Sequence, residues 1–274
     1  MNRALWKKAV SDAWPQLAAS CILLVAFGWI FVWLMSLFEM PQWLKLLRLM
    51  PDFVEPILGV PMAKLATPAG RLSVLYVHVI TLLPCIGWAV GRGSDAVSGQ
   101  ISRGTMEFLV TLPTPRASLL VAPAVVATLG SALLALSVWA GAGLGLASFE
   151  LDVAVANNRF LPGVVNLFAM TFCLTGLTTL LSSLDRDRWR TIWLAGGLFV
   201  LSMIVKLVSR FWDAGRWLRY VSFLTPFEPQ RLILADGDPW TQYGQENWKL
   251  LLMGLVSYAL AAAVFSWRDI PVPR

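Results

Sequence analysis

The polar stretch 92–116 separates two long apolar runs and holds the residues best suited to contact another protein. If it forms one helix, three- and four-residue spacing places four polar side chains on one face, namely Gln100, Arg103, Glu107 and Thr111. Phe108 and Leu112 fall on another face. Polar and apolar groups sorted in this way support non-covalent docking, so the pattern predicts an amphipathic docking helix.

Gly104 lies in the middle of this stretch and would cost a helix about 1 kcal/mol relative to alanine. The alternative is two short helices broken at Gly104, with Thr105 capping the second and Glu107 in its first turn. Pro113 ends the element in either case, and Arg116 follows at the joint to the next apolar run. The sequence leaves both arrangements open.

The composition indicates the kind of protein that must position this stretch. Of 274 residues, 57% are hydrophobic and only 14% are charged, which is more apolar surface than a single soluble core buries. A net charge of +6 does not indicate nucleic-acid binding, because the basic residues lie between apolar runs and form no basic face with interleaved aromatics. The chain is therefore predicted to be embedded in a lipid bilayer.

Six apolar runs can cross a hydrocarbon core of ~30 Å as helices. These predicted spans cover about 17–38, 72–91, 117–147, 160–184, 189–209 and 249–267. The predicted fold is an all-α integral membrane protein with a single domain over residues 1–274. Residues 1–15 mix basic and apolar groups in a pattern typical of a separate helix along the membrane surface. Short external helices are expected at 211–247, before the sixth span.

Six spans place both termini on the same side of the membrane. With the N-terminus in the cytoplasm, 11 of the 22 basic residues lie on the cytoplasmic side, so their number alone is a tie. The cytoplasmic segments are shorter, and Arg186, Arg188 and Arg190 crowd one tight turn, which favours this orientation. The stretch 92–116 is then a cytoplasmic loop.

Several polar residues fall inside the predicted spans. His78 is the single histidine of the chain, and Asn166 and Thr175 belong to an unusually polar fourth span. Each is a candidate for lining a transport pathway, but hydrogen bonds between packed helices explain them without a ligand and are the favoured interpretation. Lys206 is expected to snorkel from the end of the fifth span toward the interface.

Residues 98–116, SGQISRGTMEFLVTLPTPR, resemble the loop between the second and third spans of ABC-2 type export permeases. That family's pattern reads roughly S-G-E-x-E-x-G-T-x-E-x-L-L-x-x-P-x-x-R. Seven residues match it in order: Gly99, Gly104, Thr105, Glu107, Leu109, Pro113 and Arg116. The segment 224–237 before the last span, and the closing FSWRDI at 265–270, resemble the same family. Gln100 and Ser102 depart from it, because glutamates usually stand there.

The resemblance implies the membrane-spanning permease subunit of an ATP-driven exporter in the cell membrane of a prokaryote. The loop 92–116 would be its coupling element, docking on a separate ATPase subunit, and two permease copies would pair with two ATPases. The chain has no G-x-x-x-x-G-K-[ST] phosphate loop, so ATP and Mg²⁺ are expected in the partner and no cofactor or catalytic residue in this chain.

Two other classes remain as alternatives. An ion-coupled carrier or an intramembrane enzyme would be expected to place acidic residues or a zinc-binding motif in its spans, and the predicted spans contain no Asp or Glu. A membrane scaffold without an ATPase partner is the other alternative.

Overall fold

The structure, a computed structural model, describes residues 3–51, 54–111, 116–151, 153–237 and 239–267. In the first half the helices are α1 (Arg3–Ser36), α2 (Met40–Arg48), α3 (Val54–Leu58), α4 (Met62–Leu65), α5 (Pro68–Ser73), α6 (Val79–Asp95), α7 (Ser98–Ser102) and α8 (Met106–Val110). In the second half they are α9 (Arg116–Ser148), α10 (Leu161–Leu184), α11 (Arg188–Phe211), α12 (Pro229–Ile233) and α13 (Pro239–Trp267). No strand occurs in these ranges.

Six helical segments of the described chain are long and apolar enough to cross a membrane, which confirms the predicted all-α, six-span fold. A 3₁₀ helix at Asp213–Tyr220 and helix α12 supply the short helices expected before the sixth span. The last helix begins at Pro239, ahead of the predicted start at 249, because the helix continues into polar sequence beyond its apolar run.

The N-terminal segment differs from the predicted surface helix, because α1 runs without a break through Pro15 into the first span. Side-chain contacts explain its position beside α6. Gln16 donates to the carbonyl oxygen of Gly87 at 3.3 Å, and Arg92 donates to that of Asp12 at 3.1 Å. These bonds hold the segment against the bundle, so it does not form a separate element.

The second span consists of α5, a 3₁₀ turn at Val74–Tyr76 and α6. It is interrupted at Val77 and His78, where the His78 ring nitrogen Nδ1 accepts a hydrogen bond from the amide of Ile80 at 3.2 Å. The Thr81 hydroxyl donates to the Leu75 carbonyl across this interruption at 2.7 Å. The histidine therefore caps the long helix that leads to the 92–116 loop.

Glycines allow two pairs of spans to pack closely. A Cβ atom at Gly141 of α9 would lie 2.4 Å from the Val25 carbonyl oxygen of α1. A Cβ atom at Gly176 of α10 would lie 2.6 Å from the Gly254 carbonyl oxygen of α13. Close approach at small residues is the usual way in which membrane helices gain packing contacts. The central helix α10 is the most buried of the six spans.

Candidate functional site

The 92–116 loop contains two short helices, α7 and α8, with Glu107 in the first turn of the second, as the second predicted arrangement has them. Capping of α8 by Thr105 stays a prediction. The two helices are separated at Gly104, whose φ of 69° lies in the left-handed region that favours glycine. The Thr105 hydroxyl lies 2.7 Å from the Gln100 side-chain oxygen. The turn at Gly104 therefore folds α8 back beside the end of α7.

The structure separates the predicted docking residues into buried and exposed groups. Gln100 is only 7% exposed, and its side chain contacts Lys8 of α1 at 3.3 Å and the Asp95 carboxylate at 3.4 Å. The shared face expected for a single continuous helix is therefore not formed, because the break at Gly104 turns Gln100 inward and leaves Glu107 outside.

The exposed group is called the tip and consists of Arg103, Gly104, Glu107, Phe108 and Thr111. The Phe108 side chain is 76% exposed, although it is large and apolar. Pro113 lies outside the described residues. Arg116 is placed as the first residue of α9, and its side chain is not described.

A carboxylate at the end of α6 anchors the loop. The Asp95 oxygen Oδ1 lies 2.7 Å from a guanidinium nitrogen of Arg103 and 3.7 Å from one of Arg188. The Ser102 hydroxyl donates to the Arg186 carbonyl and accepts from the Arg188 amide, each at 3.1 Å. The start of α11 and the end of α7 are thereby tied to the same carboxylate and to each other.

Three buried hydroxyl side chains and one backbone carbonyl join the loop to the fourth and fifth spans. The Ser182 hydroxyl of α10 accepts hydrogen bonds from the backbone amides of Val97 and Ser98, at 3.2 and 2.9 Å. The Ser98 hydroxyl lies 3.0 Å from that of Ser182 and 2.9 Å from that of Thr191 in α11. Ser94 completes the cluster by accepting from Ser182 through its carbonyl oxygen at 3.0 Å.

Apolar packing connects the loop to the remaining two spans. Met106, the first residue of α8, is buried with Leu119 and Leu120 of α9 and with Phe265 of α13. Asp95, Ser98, Gln100, Met106, Ser182, Arg188 and Thr191 are together called the base. Its own residues lie in or next to α6, α10 and α11. It contacts α1 through Lys8, and α9 and α13 through Met106, so the base touches all six spans.

Sequence reasoning identified the tip but missed most of the base. Arg188 indicated only the orientation in the membrane, and nothing in the sequence marked Asp95 as the partner of two arginines. Ser98 and Ser182 are separated by 84 residues and belong to no common motif. The available signal was the density of small hydroxyl residues at the ends of two apolar runs, which indicates hydrogen bonding between helices.

The three candidate pathway residues each make a specific structural contact. The His78 ring caps α6 and packs 5.0 Å from the Phe27 ring, measured between centroids. The Asn166 amide donates to the carbonyl oxygen of Pro226 at 3.0 Å, and the Thr175 hydroxyl donates to the Thr171 carbonyl at 2.6 Å. A role in transport stays a prediction for all three.

A comparison with family models decides the identity of this fold. The model described as ABC-2 family transporter protein matches residues 46–270, which include the loop, its base and five of the six spans. The chain belongs to the ABC-2 transporter family. As an ABC-2 protein, it is a multi-pass membrane permease of an ABC transporter. No curated protein was found to match the chain.

Membership in this family bears on what the 92–116 loop could contact. ABC-2 membrane proteins generally work with a separate ABC ATPase, and the chain itself is a transporter component. The closing residues 268–270, which contributed to the resemblance, lie outside the described part of the structure.

Proposed function

We propose that this permease works in an ATP-driven exporter of a prokaryotic cell membrane, with both termini and the 92–116 loop in the cytoplasm. A separate ATPase subunit, which binds ATP and Mg²⁺, docks on the tip. Two copies of the permease pair with two ATPases. The transported substrate leaves the cytoplasm between the spans that the base connects.

The observation that carries this proposal is the contrast between the two sides of the loop. One side is anchored to every span, and the other presents exposed Glu107 and Phe108. An exposed large aromatic beside charged groups is the usual composition of a binding hot spot, in which the ring fills a pocket and the charges surround it. An ordinary solvated loop has no need of either feature.

The base explains how a displacement of the tip could reach the spans. Short helices move as rigid bodies when their interfaces are packed and hydrogen-bonded, and such interfaces change between discrete arrangements. A shift of α8 would act on α9 and α13 through Met106, while α7 would act on α10 and α11 through Ser98. The loop would thus pass one motion to both halves of the bundle.

The first experiment reverses the charge of Glu107, which is exposed and belongs to the tip. Glu107→Lys is expected to leave the permease in the membrane with unchanged thermal stability. It is also expected to lower the recovery of the ATPase with the purified permease, and permease-dependent ATP hydrolysis, by roughly tenfold, because an interface charge now faces a like charge. Glu150→Lys, at an exposed site between α9 and α10, is the matched control.

Equal ATPase recovery and hydrolysis for Glu107→Lys and Glu150→Lys would contradict docking at the tip. Arg103→Glu is a less specific test, because Arg103 also pairs with Asp95 in the base. If no ATPase accompanies the unaltered permease in several mild detergents, the scaffold without an ATPase partner becomes the better description.

A further inference from the structure

A cleft of about 1090 Å³ lies at the end of the molecule opposite to the 92–116 loop. One wall comes from α2, α3 and the turns that follow them, between the first and second spans. The other wall comes from the end of α11 and the residues that lead to α12. Because α11 begins at Arg188 beside the base and ends at Phe211 beside the cleft, the two sites are separated by a full span.

The cleft is rich in positive charge. Among the described residues that line it, six are basic and three are acidic. The basic residues are Arg48, Lys206, Arg210, Arg216, Arg219 and Arg231. With the carboxylates ionised, the lining carries an excess of three positive charges. This excess surrounds a concave volume large enough for the headgroup of a ligand.

These charges are unexpected on this side of the membrane. Segments on the external side of membrane proteins are usually poor in Lys and Arg. In the proposed orientation 11 basic residues lie on that side, and six of them line this one cleft. The tie in the number of basic residues on the two sides therefore arises largely from a single site.

The floor of the cleft is fixed by an internal ion cluster. The Glu228 carboxylate pairs with Lys206 at 3.1 Å and with Arg210, so one negative charge serves two cations. Arg210 also donates to the carbonyl oxygens of Pro56 and Ile57, at 3.2 and 2.6 Å, which joins the two walls. Lys206 is buried in this cluster, so the expectation that it snorkels to the interface is wrong.

The lining of the cleft includes exposed arginines and a polar group whose buried oxygen is unpartnered in the described part of the chain. Arg48 is exposed on α2, and the Arg219 guanidinium lies over the Tyr220 ring, 4.8 Å from its centroid. The Thr225 hydroxyl oxygen is buried and finds no hydrogen-bond partner among the described residues. A buried hydroxyl usually has a partner, so its position indicates a group that the cleft accommodates.

Aromatic side chains next to the lining residues indicate the depth of the cleft relative to the bilayer. Trp212, Trp217 and Tyr220 are exposed on the wall formed after α11. Exposed Trp and Tyr concentrate at the level of lipid headgroups, where their rings meet both acyl chains and water. The basic cleft thus lies where the phosphate groups of amphiphiles are found.

We propose that this cleft is a binding site for the phosphate group of an anionic ligand. Arg48 and Arg219 contact the phosphate oxygens, and the Thr225 hydroxyl, unpartnered among the described residues, lies in the wall of the same cleft. Arginine suits this role because its planar set of donors matches phosphate geometry. The aromatic rim favours an amphiphile of the surrounding leaflet over free phosphate as the source. The site does not depend on the ATPase partner.

The test uses the full-length permease and compares Arg48→Glu/Arg219→Glu with a matched control, Lys45→Glu. Lys45 is exposed on the same helix as Arg48, three residues earlier, and does not line the cleft. One arm measures, by native mass spectrometry, the phosphatidylglycerol retained from nanodiscs that also contain phosphatidylcholine. The other arm measures the thermal shift that inorganic phosphate produces in nanodiscs of phosphatidylcholine alone.

We expect the unaltered chain and Lys45→Glu to retain phosphatidylglycerol, and the double variant to retain roughly tenfold less. A thermal shift with inorganic phosphate that only the double variant loses would support the same site with free phosphate as the source. Equal retention and equal shifts in all three proteins would overturn the proposal. Arg48→Gln/Arg219→Gln repeats both arms without added negative charge, so misfolding of the charge-reversed variant does not remove the test.

Discussion

Ser98 of the base and Phe108 of the tip lie within about ten residues of each other in the 92–116 loop but have opposite surroundings. Ser98 in the base is fully buried, and its hydroxyl lies within 3.0 Å of the hydroxyls of two spans. Phe108 in the tip is a large apolar residue left exposed. The difference predicts that substitutions in the base lower the stability of the permease, whereas substitutions of the exposed Glu107 and Phe108 side chains in the tip leave it unchanged.

The largest expected effect on stability comes from Ser182→Ala. Its hydroxyl accepts from the amides of Val97 and Ser98, and its loss leaves two buried donors without an acceptor. We expect the free energy of unfolding in detergent to fall by about 3 kcal/mol, because each buried unsatisfied donor costs ~1–3 kcal/mol. Ser131→Ala is the control, since that buried hydroxyl bonds only to a carbonyl of its own helix.

A smaller loss of stability is expected for Asp95→Asn, which keeps the shape of the side chain but removes its charge. Asp95 pairs with Arg103 and Arg188, and its side chain is only 12% exposed. The expected loss is about 2 kcal/mol, below the ~3–5 kcal/mol for breaking a fully buried ion pair, because the two arginine side chains are partly exposed. Water can hydrate the exposed guanidinium of Arg103 once its ionic partner is lost, which limits the effect.

The control for Asp95→Asn is Asp213→Asn, because Asp213 and Arg216 form an ion pair in which both side chains are highly exposed. Such pairs contribute little, so its unfolding free energy should change by less than about 1 kcal/mol. Equal losses for the two asparagine variants would remove the distinction between the base and an ordinary surface ion pair.

Gly104→Ala changes the backbone of the tip and should have a smaller effect still. A Cβ atom there would meet no atom of the described residues within 4 Å, so the strain comes from the left-handed backbone at φ 69°. A loss of about 1 kcal/mol is expected. Gly197→Ala, in the helical backbone of α11 with equally open surroundings, should instead stabilise by up to about 1 kcal/mol.

If Gly104→Ala and Gly197→Ala change the unfolding free energy in the same direction, then the turn between α7 and α8 is not held by the conformation of Gly104. Denaturant titration of both proteins in one detergent measures the difference directly.

The sequence was sufficient to predict the spans and the tip, because both depend on local patterns. Apolar runs identify helices that cross a membrane, and the central glycine made two short helices, with Glu107 in the first turn of the second, one of the two predicted arrangements. The continuity of α1 through Pro15 was not predictable in the same way, because it depends on contacts of Gln16 and Arg92 with residues distant in the chain.

The base and the cleft also depend on long-range contacts. Ser98 meets Ser182, and Arg210 meets Pro56, only after the spans have packed. Serine and arginine at the ends of apolar runs are common for other reasons. Their residue types alone therefore do not show whether a side chain forms a bond between two helices. The pairing of Lys206 with Glu228 similarly required the fold, since local sequence favoured snorkelling.

Binding of the ATPase at the tip can be tested by photo-crosslinking, which needs no change of charge in the loop. A photoreactive phenylalanine analogue is placed at Phe108 in native membranes, and at Trp217 as the control, an exposed aromatic at the opposite end. The ATPase subunit is expected to be cross-linked from position 108 and not from position 217. Cross-linking of the ATPase from position 217, with none from position 108, would contradict binding at the tip.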